Sequence, residues 1–235
     1  MDLAKKAAAE KACELVEDGM IIGLGTGSTA EYAIRRLGQM VRDGLRIKGV
    51  PTSRHTQRLA EIVKIPIIPY EEFLAKEWDK DSGASIDIDI DGADCVDPEF
   101  RLIKGGGGAH TREKNIATAS RLFCCIVDNS KIVPKLVGSF PIPVEVIPEY
   151  YREVMARLKK FGEVKLRETG GKVFITDNSN YVVDVSPTVG EPDRLEVDIN
   201  EIPGVVDNGF FTKRRPEMVF VGYPDGSVKV LERGE

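Results

Sequence analysis

The chain has 235 residues with 33 Lys+Arg against 38 Asp+Glu, a formal net charge of -5, and is 42% hydrophobic and 30% charged. That length can bury a core as one large domain or two modest ones, and the charge balance gives no electrostatic footprint for nucleic acid, so any anion it binds must be held locally. No run reaches the ~18 apolar residues of a membrane span, and the opening MDLAKKAAAEKACELVEDG mixes acids and bases where a signal peptide has an apolar stretch, so a cytoplasmic protein is expected.

Residues 2–18 have helix-forming composition. MIIGLG is a short apolar run closed by glycine and reads as a strand, STAEYAIRRLGQMVRDG has helical periodicity, and LRIKGVPTS reads as the next strand. A helix over SRHTQRLAEIV, strands at IPIIP and IDIDIDGAD, a helix after Arg112 and the strand RLFCCIV follow. Strands separated by helices predict an α/β parallel sheet with helices on both faces, and function in such sheets gathers at the carboxyl ends of the strands.

Past Lys131 the texture changes. FPIPVEVIP is a proline-bounded strand, and EYYREVMARLKKFG is a helix ending at glycine. VKLRETGGKVFITDNSNYVVDVS holds three short strands separated by Gly-Gly and Asn-Ser-Asn turns, and PDRLEVDINEIPG reads as a helix, with strand left open. This predicts a second, smaller α+β domain over 137–204, with 1–136 and 205–235 forming the first. GVVDNGFF and the hairpin EMVFVGYPDGSVKVLE, turning at Asp225-Gly226, are expected to return to the first sheet.

The four cysteines, Cys13, Cys95, Cys124 and Cys125, lack CxxC spacing and read as small buried hydrophobes. His55 and His110 are too few and too isolated to suggest a metal site.

Three stretches carry chemistry. GLGTGSTAEYA formally satisfies the G-x-G-x-x-G/A dinucleotide fingerprint, but the next strand ends in GVPTS without the acid that would hold ribose hydroxyls. Thr26, Ser28 and Thr29, with the amides of a helix N-terminus, suit a phosphate monoester or sugar hydroxyls instead. In IDIDIDGADCVD the isoleucines take one face and Asp87, Asp89 and Asp91 the other. That pattern predicts either an edge strand or a carboxyl end opening into a polar cleft, with Asp91 and Asp94 as site candidates. A divalent metal there competes weakly, since no histidine or third well-spaced acid accompanies them.

LIKGGGGAHTREK places four glycines between Lys104 and Glu113. Glycine inside an element costs roughly 0.5–1 kcal/mol relative to alanine, so the run serves something other than regular structure. Successive unobstructed N–H groups can form a nest for an anion or a developing oxyanion. A carboxylate after such a loop is what proton abstraction beside a carbonyl requires, although Glu113 also suits the first turn of a helix.

GLGTGST, DGAD, LIKGGGGA..REK and VDNSK, in this order and at these separations, resemble type A ribose-5-phosphate isomerase over essentially the whole chain. PGVVDNGFF is similar to that family's returning strand. The resemblance implies a Rossmann-like domain interrupted by a smaller, ferredoxin-like α+β domain, a homodimer or homotetramer, a sugar-phosphate substrate, no metal or nucleotide cofactor, and no nucleic-acid or membrane partner. It implies substrate contacts at Thr26, Gly27, Ser28 and Thr29, at Asp91, Gly92, Ala93 and Asp94, at Lys104, Gly105, Gly106 and Gly107, and at Lys131. Lys5 matches a lysine near the phosphate, with Lys6 adjacent. Glu113 matches the family's general base, Lys104 stabilises charge, and Asp91 rather than Asp94 is the expected proton carrier in ring opening.

The chain departs from the family at Cys95, where an acid usually follows DGAD, and at His110-Thr111, which replace apolar residues. Those departures bear on the loop's packing, and His110 is expected to pack or lie at the surface. A sugar-phosphate-sensing regulator, a CoA-transferase and an amino-sugar-phosphate deaminase are the rival readings. The first would normally carry a DNA-binding helix-turn-helix, for which the residues before the first strand leave no room. Lys104 together with Glu113 argues against the others.

Overall fold

A computed structural model describes residues 1–75 and 85–234. Helix α1 spans Asp2–Cys13, shorter than the composition suggests. Its end loosens into i→i+3 turns, Leu15 N–H to Ala12 O and Val16 N–H to Cys13 O, before Gly19 turns the chain at φ 90°. The chain then forms β1 (Ile21–Leu24), α2 (Ser28–Arg42), β2 (Lys48–Pro51), α3 (Arg54–Ile62) and α4 (Tyr70–Ala75). Ser53 caps α3 by accepting from the Thr56 amide.

IPIIP does not become a strand. Pro66 and Pro69 each lack an N–H donor, and the stretch is reduced to a single bridge, Gly49 with Ile67.

Next come β3 (Ile86–Asp91), β4 (Cys95–Val96), β5 (Leu102–Ile103), α5 (His110–Ala119) and β6 (Ser120–Asp128). They are followed by β7 (Ile142–Val146), α6 (Tyr151–Leu158), β8 (Gly162–Leu166), β9 (Glu168–Thr169), β10 (Lys172–Val173), β11 (Tyr181–Pro187) and α7 (Pro192–Asn200). The chain finishes with β12 (Val205–Asn208), β13 (Phe210–Phe211), β14 (Met218–Gly222) and β15 (Val228–Glu232).

The elements divide into two units. The first comprises Met1–Gly92, Arg112–Lys131 and Pro216–Glu235. Its six-stranded sheet has the order β15-β14-β6-β3-β1-β2, parallel except for the β14/β15 hairpin. This is the expected Rossmann-like α/β sheet. Ile22, Leu24, Ile88, Ile90, Cys124 and Ile126 bury their side chains against Ala8, Ala12, Ala33 and Leu37 of α1 and α2. All four cysteines are buried thiols outside any disulfide, and burial pushes the Cys13 thiol up to about 12, which leaves it protonated and inert.

The second unit comprises Ala93–Thr111 and Ile132–Arg215. It holds an antiparallel sheet in the order β12-β7-β11-β8, with Val154 and Leu158 of α6 and Leu195 and Ile199 of α7 in the core against Val144, Val183 and Val185. A three-stranded sheet, β13-β5-β4, adds Phe210, Ile103 and Cys95.

The expectation for GVVDNGFF is corrected here. Val205–Asn208 pairs with β7 and Phe210–Phe211 with β5, so only the β14/β15 hairpin joins the first sheet. Apolar alternation marks a strand but does not specify its partner.

Candidate functional site

In the first unit, the acidic face of β3 is explained by its neighbour β1. Asp89 and Asp91 are fully buried in a central strand, which overturns the edge-strand alternative. The parallel register sets Gly23 opposite Asp89, and the spacing of two residues carries Gly25 to Asp91. A methyl carbon on Gly23 would lie 2.5 Å from Asp89 Oδ1, and one on Gly25 would lie 2.2 Å from Asp91 Oδ1. The glycines of GLGTG therefore make room for carboxylates on the next strand. Asp91 Oδ1 accepts from the amides of Thr26 (3.0 Å) and Gly92 (2.7 Å), fixing the turn after β1 to the end of β3.

The Thr26 hydroxyl joins those of Thr52, Ser53 and Thr56 at 2.7, 2.9 and 3.1 Å. Thr52 and Thr56 in turn donate to the Leu24 and Gly25 carbonyls. This hydroxyl cluster escaped the sequence reading. The only signal for it was the PTSRHT stretch after β2, taken simply as the next strand end and helix. With the amide and hydroxyl of Thr26 engaged inside the unit, Gly27 and Ser28 are the exposed part of the turn.

Helix α2 begins after Gly27 (φ 109°) without a side-chain cap, and Lys5 Nζ donates to Ser28 Oγ at 2.9 Å. A cation, a hydroxyl and the positive end of a 15-residue helix thus meet at one point. Lys131 ends a short 3-10 turn, Asn129–Lys131, after β6. Asp128 shapes that turn, accepting from the Ser130 amide (3.0 Å) and the Ser130 hydroxyl. Glu113 sits in the first turn of α5 and is 4% exposed.

In the second unit, Ala93 and Asp94 begin the segment leading to β4, and Asp94 N–H donates to Ile103 O (2.8 Å). Lys104 is 2% exposed, with its ammonium 5.6 Å from the centre of the Phe211 ring. The glycine loop is held from two sides. Gly106 N–H donates to Asp94 Oδ2 at 2.7 Å. Arg167 Nη1 donates to the carbonyls of Gly105 (2.9 Å) and Gly106 (3.1 Å), while its Nε and Nη2 grip Asp184. The amides of Gly105 and Gly107 have no acceptor among the described residues.

Gly105 has φ 96°, and a methyl there would lie 2.6 Å from His110 Nδ1. His110 is fully buried and packs under the loop, 3.4 Å from the Asp207 carbonyl. Thr111 donates to the buried Glu145, which also accepts from Thr176 (2.7 Å) and from Asn178 and Asn180 (3.1 and 3.0 Å). Neither Arg167 nor Glu145 was singled out by the sequence, where each reads as an ordinary strand residue. Among the described residues no three of His, Cys, Asp or Glu gather into a group that could hold a metal ion, and no helix is long and apolar enough to cross a membrane.

A hydroxyl-bearing turn at a helix start, following a strand of a parallel α/β sheet, belongs to the class of α/β folds whose helix N-termini can hold an anion. The family model for ribose 5-phosphate isomerase A (phosphoriboisomerase A) matches residues 48–226. The ribose-5-phosphate isomerase A of Ruegeria sp. (strain TM1040) is 44% identical, the match covering 100% of this chain and 89% of the relative. The solved ribose 5-phosphate isomerase A of Methanocaldococcus jannaschii superposes with a TM-score of 0.88 at 42% identity, covering 97% of this chain and 98% of that one. A D-ribose-5-phosphate isomerase in complex with phospho-erythronic acid superposes equally well, TM-score 0.88, at 39% identity with 98% of each chain covered. The chain belongs to the ribose 5-phosphate isomerase A family.

Proposed function

We propose that the chain interconverts D-ribose 5-phosphate and D-ribulose 5-phosphate through an enediolate. The observation that carries this reading is the stretch Lys104 to Glu113. Its terminal lysine and carboxylate are 2% and 4% exposed, and it encloses a glycine loop offering backbone donors, in a chain of this family. The aspartate pair Asp91 and Asp94 assists opening of the furanose. Glu113 then removes the C2 proton of the open aldose, and the electron pair moves toward O1. Lys104 and the loop amides stabilise the resulting cis-enediolate. Glu113 returns the proton to C1 as the O2 hydroxyl proton passes to O1, leaving the ketose. That a relative holds phospho-erythronic acid, a phosphorylated sugar acid, supports an anion-stabilising centre paired with a phosphate site.

The test is a ribose 5-phosphate isomerisation assay on protein exhaustively treated with EDTA. Full turnover is expected, because the proton moves through Glu113 and the charge is met by Lys104 and amides. Activity lost with EDTA and restored by a divalent ion would recast Asp91 and Asp94 as metal ligands.

The phosphate is assigned to Lys5, Ser28, Thr29, the first amides of α2, and Lys131. A net charge of -5 would repel it without such local compensation. Hydrogen bonds to charged groups contribute roughly 1.5–3 kcal/mol, so Lys131→Ala or Ser28→Ala should raise KM for ribose 5-phosphate by about ten-fold or more. Free ribose is the control: the parent should turn it over poorly, and the substitutions should hardly worsen it. Equal loss on both substrates would move Lys131 from the phosphate to the sugar or the fold.

Self-association as a dimer or tetramer is part of the same proposal. It is supported by the resemblance and by Ile147, Tyr150 and Val206, which are 36%, 52% and 40% exposed around Gly204. Light scattering on the purified protein decides it. A cytoplasmic location completes the reading and fits a charged metabolite as substrate.

A further inference from the structure

Building on the isomerase reading, we propose that Arg167 is a positioning residue that aims the Gly107 N–H at the enediolate oxygen. In a planar trans peptide the C=O of one residue and the N–H of the next point in opposite directions. Arg167 Nη1 holds Gly105 O at 2.9 Å and Gly106 O at 3.1 Å, so two consecutive carbonyls are drawn to one side of the loop. Their partner amides, Gly106 N–H and Gly107 N–H, are thereby turned to the other.

The first of these finds Asp94 Oδ2 at 2.7 Å. That contact fixes the direction of the amide side and ties the loop to one of the proposed site carboxylates. The second, one peptide further on, has no acceptor among the described residues. The glycine run thus offers an aimed donor at Gly107, while the Gly106 amide is committed to holding Asp94.

A guanidinium suits this task and an ammonium does not. Nε and Nη2 lock onto Asp184, with Nε to Oδ2 at 2.9 Å, leaving Nη1 at a fixed position for the two carbonyls. The guanidinium charge beside the carbonyl oxygens also polarises the same peptides, strengthening their N–H groups as donors. Glycine has too broad a conformational range to hold such a direction without help.

The experiment measures kcat and KM for ribose 5-phosphate in Arg167→Lys, which keeps a cation beside Asp184 but loses the planar fork. Misaligning a transition-state donor should lower kcat about 10–100-fold and leave KM within about three-fold, with a thermal melt showing an intact fold. In Arg167→Ala, guanidinium ion at tens of millimolar should restore kcat several-fold where sodium chloride at the same concentration does not. Retention of kcat within three-fold in Arg167→Lys would overturn the proposal. So would a rise in KM matching the fall in kcat, or a folded Arg167→Ala protein indifferent to guanidinium. Glu113→Gln, run alongside, separates the two levels. If it keeps turnover, the isomerase mechanism itself falls. If it loses turnover while Arg167→Lys does not, only the role of Arg167 falls.

Discussion

Glu113→Gln is expected to lower kcat by about 10²–10⁴-fold while KM for ribose 5-phosphate changes little. The substitution is nearly isosteric at a position only 4% exposed, so packing around the first turn of α5 survives. What disappears is the one group assigned to carry the proton between C2 and C1. Ground-state contacts to the phosphate and hydroxyls are untouched, which confines the loss to kcat. Glu113→Asp sharpens the test, since it keeps the acid but withdraws it by one methylene, and it should fall between the parent and the glutamine variant. Turnover within a few-fold of the parent in Glu113→Gln would reduce Glu113 to an acid on the helix dipole, a role whose loss costs about 0.3–1 kcal/mol of stability and no chemistry.

Gly25→Ala is expected to damage stability and activity together. Its methyl would lie 2.2 Å from Asp91 Oδ1 and 2.5 Å from Asp91 Cα. The second contact is with backbone, so a change of side-chain rotamer cannot relieve it, and β1 and β3 must separate. Overpacking costs typically 1–3 kcal/mol, and a backbone contact in a central strand pair belongs at or above the top of that range. For a chain of this size that lowers Tm by about 6–12 °C. The turn that Asp91 holds through the Thr26 amide would shift as well, taking the start of α2 with it. Gly27→Ala provides the contrast. It has φ 109° and ψ 172°, a region L side chains rarely adopt, but nothing within 4 Å of an added methyl, so its cost is confined to backbone strain of about 1–3 kcal/mol with no forced separation of strands. A Gly25→Ala protein melting within 2 °C of the parent would show that the strands have slack the packing does not reveal.

These two residues also show what could and could not be read in the chain itself. The alternation of strands and helices is a local pattern, legible without knowing which segments meet, and most of it reappears in the fold. The fit of Gly23 and Gly25 to Asp89 and Asp91 depends on the register between β1 and β3, some 65 residues apart in sequence, which no periodicity encodes. Arg167 was hidden for the same reason: its partners Gly105 and Gly106 precede it by about 60 residues, and the intervening chain gives no sign of the meeting. GVVDNGFF was legible as extended chain but not as belonging to the β7 and β5 sheets. IPIIP had the composition of a strand, and its prolines were the clue that it would pair only once.

The sheet order β15-β14-β6-β3-β1-β2 has a consequence for how the molecule is made. Strand β14 pairs with β6, and its Gly222 lets α1 approach so closely that an added methyl would lie 1.9 Å from the Ala4 carbonyl oxygen. A ribosome delivers β14 about 200 residues after α1, an interval of about 10–40 s at ordinary synthesis rates. Throughout that time β6, once formed, presents the bare edge of its ladder, and α1, which packs on both β6 and β14, has only part of its surface covered. An open edge recruits extended segments without regard to origin. The nascent chain is therefore most exposed to mispairing just before the β14/β15 hairpin emerges. Codons that slow elongation between β6 and β14 would lengthen that exposure and lower the yield of soluble protein, without altering a single residue of the finished molecule.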